Sequence, residues 1–299
     1  MLKVKRKVKP IRVPVIRALE LPERAVAAED CRVRCTWEVP ASCNMQPECP
    51  YCSNAWQRSR MPTLPVDFDR HLAGLQRLGE EYGPLHLSVC FGEPTSNPAV
   101  VAAIGILGQR HKIDVSTNLL FDLNDIACWP RNGNIRLATS WHPHRWKLSE
   151  FIQKRGLVED SGIGCGVCGI VAWPPYLDRL ATWCSELRSA GIQPDVHPFY
   201  GSWNGRNYPD SYTEAERELV FGEVEATYGV CLTGESTRGR LCRAGERYLF
   251  ISFHGNVLRC YTAFSETLGS LDSGVRLLEG PTPCHAEQCP CSDLWRMLA

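Results

Sequence analysis

Apolar and polar segments alternate regularly between residue 31 and about residue 200. Short runs rich in β-branched and aromatic residues predict six buried strands, at 33–39, 85–91, 112–117, 135–140, 167–173 and 193–199. Helical patterns lie between them. In the segment from Phe68 to Tyr82, for example, Leu72, Leu75 and Leu78 share one face. Alternating strands and helices predict parallel strands joined by helical crossovers.

Six such strand–helix units are too few to close an eight-stranded barrel. A partial barrel and a doubly wound sheet both fit the pattern, and the order of the strands cannot be read from the sequence. In either layout, ligands bind at the carboxyl ends of the strands. Each predicted strand ends in polar or turn-forming residues, and we therefore expect a functional rim at that edge.

The pattern changes after residue 200. A linker rich in Gly, Asn, Pro and Ser is predicted over 201–213, and a Glu-rich helix over 213–228. Two strands around His254-Gly255-Asn256 then predict a hairpin, in which Gly255 supplies a positive φ. The predicted divisions are a basic extension (1–30), the α/β region (31–213), a connecting helix (214–239) and a small C-terminal domain (240–299).

Composition narrows the class of protein. Apolar residues make up 44% of the 299-residue chain and the net charge is zero, so a full core is expected and nucleic acid is not an expected partner. The sequence has no run long enough to span a membrane and no secretion signal, and we expect a cytoplasmic protein. The basic residues 3–9 fit a solvated tail or an edge strand. Sixteen cysteines in a reducing compartment favour metal binding over disulfides.

The cysteines with the most informative spacing are Cys43, Cys49 and Cys52. Three thiolates leave one iron of a 4Fe-4S cluster without a protein ligand. Their position after the first strand, with Gly92-Glu93-Pro94 after the second, resembles the radical S-adenosylmethionine (SAM) enzymes. The usual triplet of that family has three residues in its first gap, whereas this one has five. The resemblance implies an α/β fold with a partial (β/α)6 TIM-type barrel.

The resemblance also implies how SAM is held. The triplet would bind a 4Fe-4S cluster whose fourth iron receives the amino and carboxylate groups of SAM, and the backbone of Gly92, Glu93 and Pro94 would receive the amine. Tyr51 would lie near the adenine. Ser140, at the end of the fourth strand, is a candidate polar contact to SAM, and Asn118 is a second one.

A second group of cysteines lies near the C-terminus. Cys242 begins a Cys-x-Ala-Gly motif, Cys260 ends a Gly-x4-Cys motif, and Cys284, Cys289 and Cys291 follow. This arrangement resembles the twitch domain, the short form of the SPASM extension, which implies one auxiliary 4Fe-4S cluster. Cys242 and Cys260 would be ligands, with two of the three later cysteines completing the set. A structural zinc site is the alternative, because four cysteines near a hairpin also suit tetrahedral zinc.

The resemblance implies an oxidoreductase or an epimerase. The 5′-deoxyadenosyl radical obtained from SAM would remove a hydrogen atom from the substrate. An auxiliary cluster that takes up the remaining electron gives oxidation, whereas a thiol that returns a hydrogen atom gives epimerisation. Cys90 is a candidate for such a thiol. His142, His144 and His197 at strand ends are candidate bases.

Substrate and partners are the least specified features. Only about thirty residues precede the predicted barrel, and we therefore expect a small polar substrate, such as a sugar or cyclitol, rather than a peptide bound through a leader domain. A maturase of ribosomally made peptides is the alternative within the same chemistry, and a non-catalytic zinc-binding module is the alternative from another class. The resemblance also implies a reducing partner such as flavodoxin or ferredoxin.

Overall fold

A sheet built on six parallel strands organises the protein, as shown by a computed structural model that describes residues 25–39, 43–45, 49–52, 67–228, 236–262, 266–287, 289 and 297. The six strands are β1 (Val33–Glu38), β2 (Leu85–Cys90), β3 (Lys112–Thr117), β4 (Ile135–Ser140), β5 (Gly164–Ala172) and β6 (Pro194–Pro198). The helices are α1 (Phe68–Tyr82), α2 (Pro98–Leu107), α3 (Leu148–Asp160), α4 (Leu177–Ser189) and α5 (Glu214–Tyr228).

Eight shorter strands follow the six parallel ones along the chain. They are β7 (Gly201–Trp203), β8 (Arg206–Tyr208), β9 (Leu241–Cys242), β10 (Tyr248–Ile251), β11 (Asn256–Leu258), β12 (Thr267–Ser270), β13 (Gly274–Val275) and β14 (Thr282–Pro283).

Strands β1 to β6 lie side by side in their sequence order, and every neighbouring pair is parallel. A doubly wound sheet reverses its strand order partway across. The sequential order therefore excludes that alternative and confirms the predicted partial barrel. Within the described residues the sheet ends at β6 and at β13, so the barrel stays open.

The predicted C-terminal hairpin joins the barrel sheet. Strand β10 pairs with β1 in parallel, and β11, β12 and β13 extend the sheet in antiparallel fashion to ten strands. Gly255 has the positive φ expected of the turn, 80°. Cys242 lies outside this hairpin, in β9, which pairs with β14. The domain boundaries themselves stay predictions.

The two faces of the barrel strands differ in polarity. On one face Trp37, Leu87 and Val115 are fully buried beneath the helices, and the indole Nε1 of Trp37 donates to Nδ1 of His71 in α1 (3.2 Å). Along β1 the alternate positions carry polar side chains, and Tyr248 of β10 donates its hydroxyl to Thr36 on that side (2.8 Å). We call this polar side the inner face. It provides the site with polar groups, whereas the outer face forms the core.

Two segments differ from the sequence prediction. Strand β5 begins at Gly164, three residues earlier than predicted. Its first residues include two glycines and a register shift against β4, so this part of the strand lacks the apolar run on which the prediction relied. The predicted linker after residue 200 is the β7–β8 hairpin, whose turn residues Asn204 and Gly205 have φ of 48° and 74°. An Asn-Gly pair with positive φ at both residues is a known hairpin signal, which the sequence analysis overlooked.

Helix α1 fastens the C-terminal strands to the barrel. Arg70 pairs with Asp272, the Tyr82 hydroxyl donates to the carbonyl of Val275 (2.9 Å), and the Arg77 guanidinium donates to the carbonyl of Leu271 (2.5 Å). Among the described residues no helix has the length and apolar character needed to cross a membrane.

Candidate active site and metal centres

The turn after β2 is built around a buried carboxylate. Phe91 and Gly92 both have positive φ, 77° and 62°, which turns Glu93 inward until its side chain is 1% exposed. The Glu93 carboxylate accepts four hydrogen bonds, from the Thr95 amide (3.2 Å), the Thr95 hydroxyl (2.5 Å), the Thr117 hydroxyl (2.8 Å) and the Asn118 amide (2.7 Å). Burial raises the pKa of Glu93, and these donors oppose the shift.

These contacts give Glu93 a structural position. Its carboxylate joins the end of β2 to the end of β3, so the side chain is occupied within the protein. The predicted contact between this turn and the SAM amine would therefore use backbone atoms of Gly92, Glu93 and Pro94, and it stays a prediction.

Asn118 connects this turn to the cysteine loop. Its side-chain amide donates to the Asn44 side-chain carbonyl (2.8 Å), and its own side-chain oxygen accepts from the Leu120 amide (2.9 Å). Asn44 also donates to the Leu120 carbonyl (3.3 Å). The residue next to Cys43 is thus held against the end of β3. Asn118 stands in the structure as a support of the loop, and a direct contact to SAM is untested.

The second half of the cysteine loop lies against the end of β4. The Cys52 amide donates to the Cys49 carbonyl (3.1 Å), which closes a tight turn around Tyr51. The Cys49 Sγ lies 3.3 Å from the Nδ1 of His142. Loop and barrel are therefore in contact at two separate strand ends, β3 and β4.

Tyr51 lies between two histidines. Its hydroxyl is 3.2 Å from Nδ1 of His142 and 3.2 Å from Nδ1 of His144, and its ring stacks on His142 with an interplanar angle of 6°. The Tyr51 ring also packs against Trp173 after β5. Burial raises the pKa of Tyr51, and burial together with His144 lowers the pKa of His142 to about 4. Tyr51 is thus held within this polar group, and its predicted position near the adenine stays a prediction.

Donor atoms of Cys49, His142 and His144 all lie within 4.8 Å of one another, close enough to surround a single metal ion. Both histidines, predicted as candidate bases, thus lie against the cysteine loop. Their predicted catalytic role is untested.

Ser140, Gly169 and Asp195 form a row across β4, β5 and β6 on the inner face, because Ser140 pairs with Gly169 and Gly169 with Asp195. A Cβ atom on Gly169 would lie 3.3 Å from the Ser140 Oγ and 3.6 Å from the His197 Nε2. The glycine therefore leaves a notch between a hydroxyl and an imidazole.

His197 and Asp195 form a pair one strand repeat apart, with 3.2 Å between His197 Nε2 and Asp195 Oδ2. Burial opposes the charged imidazole, but the Asp195 carboxylate outweighs it and raises the pKa of His197. The sequence analysis named His197 and missed Asp195. The Asp-x-His spacing at a strand end was the available signal, because residues two apart share a face.

Cys90 lies at the inner-face end of β2, opposite Glu38 in the register of β1 and β2. Glu38 is buried, its carboxylate accepts a long hydrogen bond from the Phe253 amide (3.4 Å), and burial raises its pKa. Cys90 therefore lies at the functional rim, and its role as a thiol that returns a hydrogen atom to the substrate stays a prediction.

Four of the five predicted C-terminal ligands line one cavity. They are Cys242, Cys260, Cys284 and Cys289. Cys291 lies outside the described residues. Burial raises the pKa of the Cys242 thiol, and Cys284 and Cys260 contribute to the rise because they lie close by.

Arg259 fixes the frame of this cavity and was not predicted. Its guanidinium, in a side chain that is 4% exposed, donates to the carbonyls of Ala244 (3.1 Å), Thr282 (3.0 Å) and Pro283 (2.9 Å) and to the Glu266 carboxylate (3.0 Å). It therefore ties the segment after Cys242 to the strand before Cys284. Nothing in the sequence around Arg259 sets it apart from exposed arginines.

The chain matches no protein-family model and no curated protein. Solved structures match it in fold. Hexahistidine-tagged anSMEcpe with bound AdoMet (SAM) aligns with a TM-score of 0.58 and 13% identity, covering 80% of this chain and 75% of that chain. Native anSMEcpe with bound AdoMet and Kp18Cys peptide gives a TM-score of 0.58, 13% identity, and coverage of 81% and 79%. The chain therefore shares the fold of these AdoMet-bound proteins.

Proposed function

We propose that the protein is a radical SAM enzyme. The observation that carries the proposal is that the loop bearing Cys43, Cys49 and Cys52 contacts the strand ends beside the Glu93 turn, in a fold shared with AdoMet-bound proteins. Asn118 joins the two features, since it contacts both Glu93 and Asn44.

The three thiols suit a 4Fe-4S cluster with one open iron, because thiolates are the usual protein ligands of such clusters. When bound there, the cluster and SAM supply a 5′-deoxyadenosyl radical that removes a hydrogen atom from the substrate. The chain itself holds the cysteine loop in place, through the contact of Asn44 with Asn118 after β3 and the contact of Cys49 with His142 after β4.

Cys242, Cys260, Cys284 and Cys289 would hold an auxiliary 4Fe-4S cluster in the C-terminal cavity. Four thiols around one mostly buried space match the ligand number of a fully coordinated cluster. This choice leaves Cys291 outside the ligand set. A fully coordinated cluster next to the barrel suits electron transfer, which favours oxidation over epimerisation.

A peptide is the substrate class that the comparisons favour. The related structures of anSMEcpe were solved with the Kp18Cys and Cp18Cys peptides, and no comparison supports a sugar or cyclitol. We therefore prefer a peptide-modifying enzyme over the small polar substrate expected from the sequence.

His197 is the candidate to take a proton from the substrate. Asp195 accepts from Nε2–H, which leaves the Nδ1 lone pair of His197 as the acceptor. His142 and His144 suit this role less well, because Tyr51 engages the Nδ1 atoms of both.

A structural zinc module is the second candidate, favoured by the close approach of Cys49, His142 and His144. Iron, zinc and sulfide analysis of anaerobically purified protein separates the two candidates. About eight irons with matching sulfide per chain support the radical SAM proposal. Zinc without sulfide, or a reduced-protein electron paramagnetic resonance (EPR) spectrum that ignores added SAM, would refute it. Formation of 5′-deoxyadenosine with peptides but not with sugars tests the substrate class.

A further inference from the structure

His142 is held rigidly beside the cysteine loop. The amide of Trp141 continues the β4–β5 ladder by donating to the Gly169 carbonyl (3.0 Å). The His142 carbonyl then accepts from the Arg145 amide (2.9 Å) and the Trp146 amide (3.4 Å), which closes a turn. With its backbone fixed in this way, His142 places Nδ1 3.3 Å from the Cys49 Sγ.

The chemistry of a cluster ligand determines the direction of this contact. A cysteine that binds iron is a thiolate, which can only accept hydrogen bonds. Nδ1 of His142 must then carry the hydrogen. Tyr51 can accept a share of the same N–H and donate its own hydroxyl hydrogen to Nδ1 of His144, and this assignment satisfies both 3.2 Å contacts.

We infer that His142 is a positioning residue that donates a hydrogen bond from Nδ1–H to the Cys49 sulfur and thereby raises the reduction potential of the cluster on Cys43, Cys49 and Cys52. The inference rests on the proposed function. A hydrogen bond to a ligand sulfur withdraws negative charge from the cluster and so favours the reduced, more negative state. His144 belongs to the same polar group, and its Nδ1 is engaged by the Tyr51 hydroxyl, so it serves as a matched control.

The test is an EPR-monitored redox titration of the anaerobically reconstituted protein without SAM or substrate. The relevant cluster is the one whose signal changes when SAM is added to a parallel sample. His142→Phe keeps a ring but removes the donor, and we expect its potential to fall by about 59 mV, a tenfold change in the one-electron equilibrium. His142→Asn places an amide N–H near the position of Nδ1 and should restore most of the wild-type value. His144→Phe should leave the potential near wild type.

An intact SAM-responsive cluster with unchanged potential in His142→Phe would overturn the inference while leaving the proposed function in place. A wild-type protein without any SAM-responsive iron–sulfur signal would refute the proposed function itself.

A second measurement does not depend on whether the variants fold. In wild-type protein labelled with 15N-histidine, pulsed EPR should detect a weak nitrogen coupling to the reduced cluster, as expected for a hydrogen-bonded imidazole. Absence of any histidine coupling, or a coupling as strong as that of a directly bound nitrogen, would overturn the inference.

Discussion

The side-chain amide of Asn118 donates a hydrogen bond to the side-chain carbonyl of Asn44 across 2.8 Å, and 74 residues of chain separate the two. Asn44 follows the first cysteine of the loop, and Asn118 follows β3 directly. The backbone N–H of Asn118 donates a second hydrogen bond, to the Glu93 carboxylate (2.7 Å). One residue thus fixes the cysteine loop relative to the turn at which SAM is predicted to bind.

Asn118→Asp should weaken SAM binding without unfolding the protein. The aspartate keeps an oxygen for the Leu120 amide but places a second oxygen against the Asn44 carbonyl. Losing a hydrogen bond and gaining a repulsion costs about 1–3 kcal/mol, or roughly a tenfold loss of affinity or more. Titration calorimetry of the reconstituted protein checks this. Asn118→Ala loses both contacts and should be weaker still, and equal affinity in all three proteins would contradict the coupling.

Glu93→Gln should destabilise the fold even without SAM. Both carboxylate oxygens of Glu93 accept hydrogen bonds, four in all. The amide of a glutamine has only one oxygen, so its N–H group must point toward one of these donors. We expect a loss of about 1–3 kcal/mol in the free energy of unfolding, measured by urea denaturation. Thr117→Val removes one donor to the carboxylate together with the acceptor of the Leu119 amide (3.1 Å), and it should cost about 1–3 kcal/mol. Wild-type stability of Glu93→Gln would mean that the buried carboxyl is already protonated.

The sequence predicted the barrel well because its strands and helices carry strong local signals. The segment predicted for α1 on Leu72, Leu75 and Leu78 matches its bounds to the residue, and so do the short strand-like runs predicted for β3 and β4. The joining of β10 to β1 could not be predicted, because it pairs residues more than 200 positions apart and no local pattern encodes such a contact.

The candidate site divides in the same way. The resemblance named Cys242 and Cys260 as ligands and left open which two of Cys284, Cys289 and Cys291 complete the set. In the structure Cys242, Cys260, Cys284 and Cys289 line one cavity, and their role as ligands stays a prediction. Arg259, which holds that cavity together, could not be predicted, since burial of an arginine depends on carbonyls supplied by distant segments. The sequence also could not show that Tyr51 contacts His142, because loop conformation decides it.

His197→Gln should separate hydrogen abstraction from product formation. Glutamine can still donate to the Asp195 carboxylate but offers no basic nitrogen. We expect 5′-deoxyadenosine to form at a near-normal rate while oxidised product falls by about 100-fold, the usual minimum contribution of a general base. Both products are measured in one reaction by mass spectrometry. Full product yield would remove His197 from the mechanism. Asp195→Asn should give a smaller loss, because it only disturbs the tautomer.

Asp114 should make stability sensitive to acid. Burial disfavours its charge, but hydrogen bonds from His86 (2.7 Å) and Arg136 (2.8 Å) outweigh this and lower the pKa of Asp114 to about 2. A group with a depressed pKa stabilises the fold above its unfolded pKa, and this contribution is lost as the pH falls through the folded value. We expect about 2 kcal/mol to disappear between pH 4 and pH 2.

Denaturation of the metal-free chain, followed by circular dichroism across that pH range, measures the effect. In Asp114→Asn the corresponding slope should vanish. Arg136→Gln, which removes one of the two donors, should reduce the slope without abolishing it. An Asp114→Asn profile parallel to wild type would show that the carboxylate is not held in its charged form.

Gly74→Ala should detach the C-terminal strands from α1. A Cβ atom at this position would lie 2.5 Å from the Leu271 Cβ and 2.6 Å from the Leu271 carbonyl oxygen, so the backbone of the β12–β13 turn must move. The cost of such overpacking is about 1–3 kcal/mol. Gly156 in α3 is the matched control, because nothing lies within 4 Å of its added Cβ.

Gly156→Ala should therefore stabilise by about 0.4–1 kcal/mol, through reduced entropy of the unfolded chain. Urea denaturation of both variants gives the comparison, and hydrogen exchange shows where the structure loosens. We expect faster exchange in β10 to β13 for Gly74→Ala alone. Because β10 pairs directly with β1, which leads into the cysteine loop, that loosening should also reduce iron retention at Cys43, Cys49 and Cys52. Equal stability of the two alanine variants would show that the turn yields freely and that α1 does not hold the C-terminal strands in place.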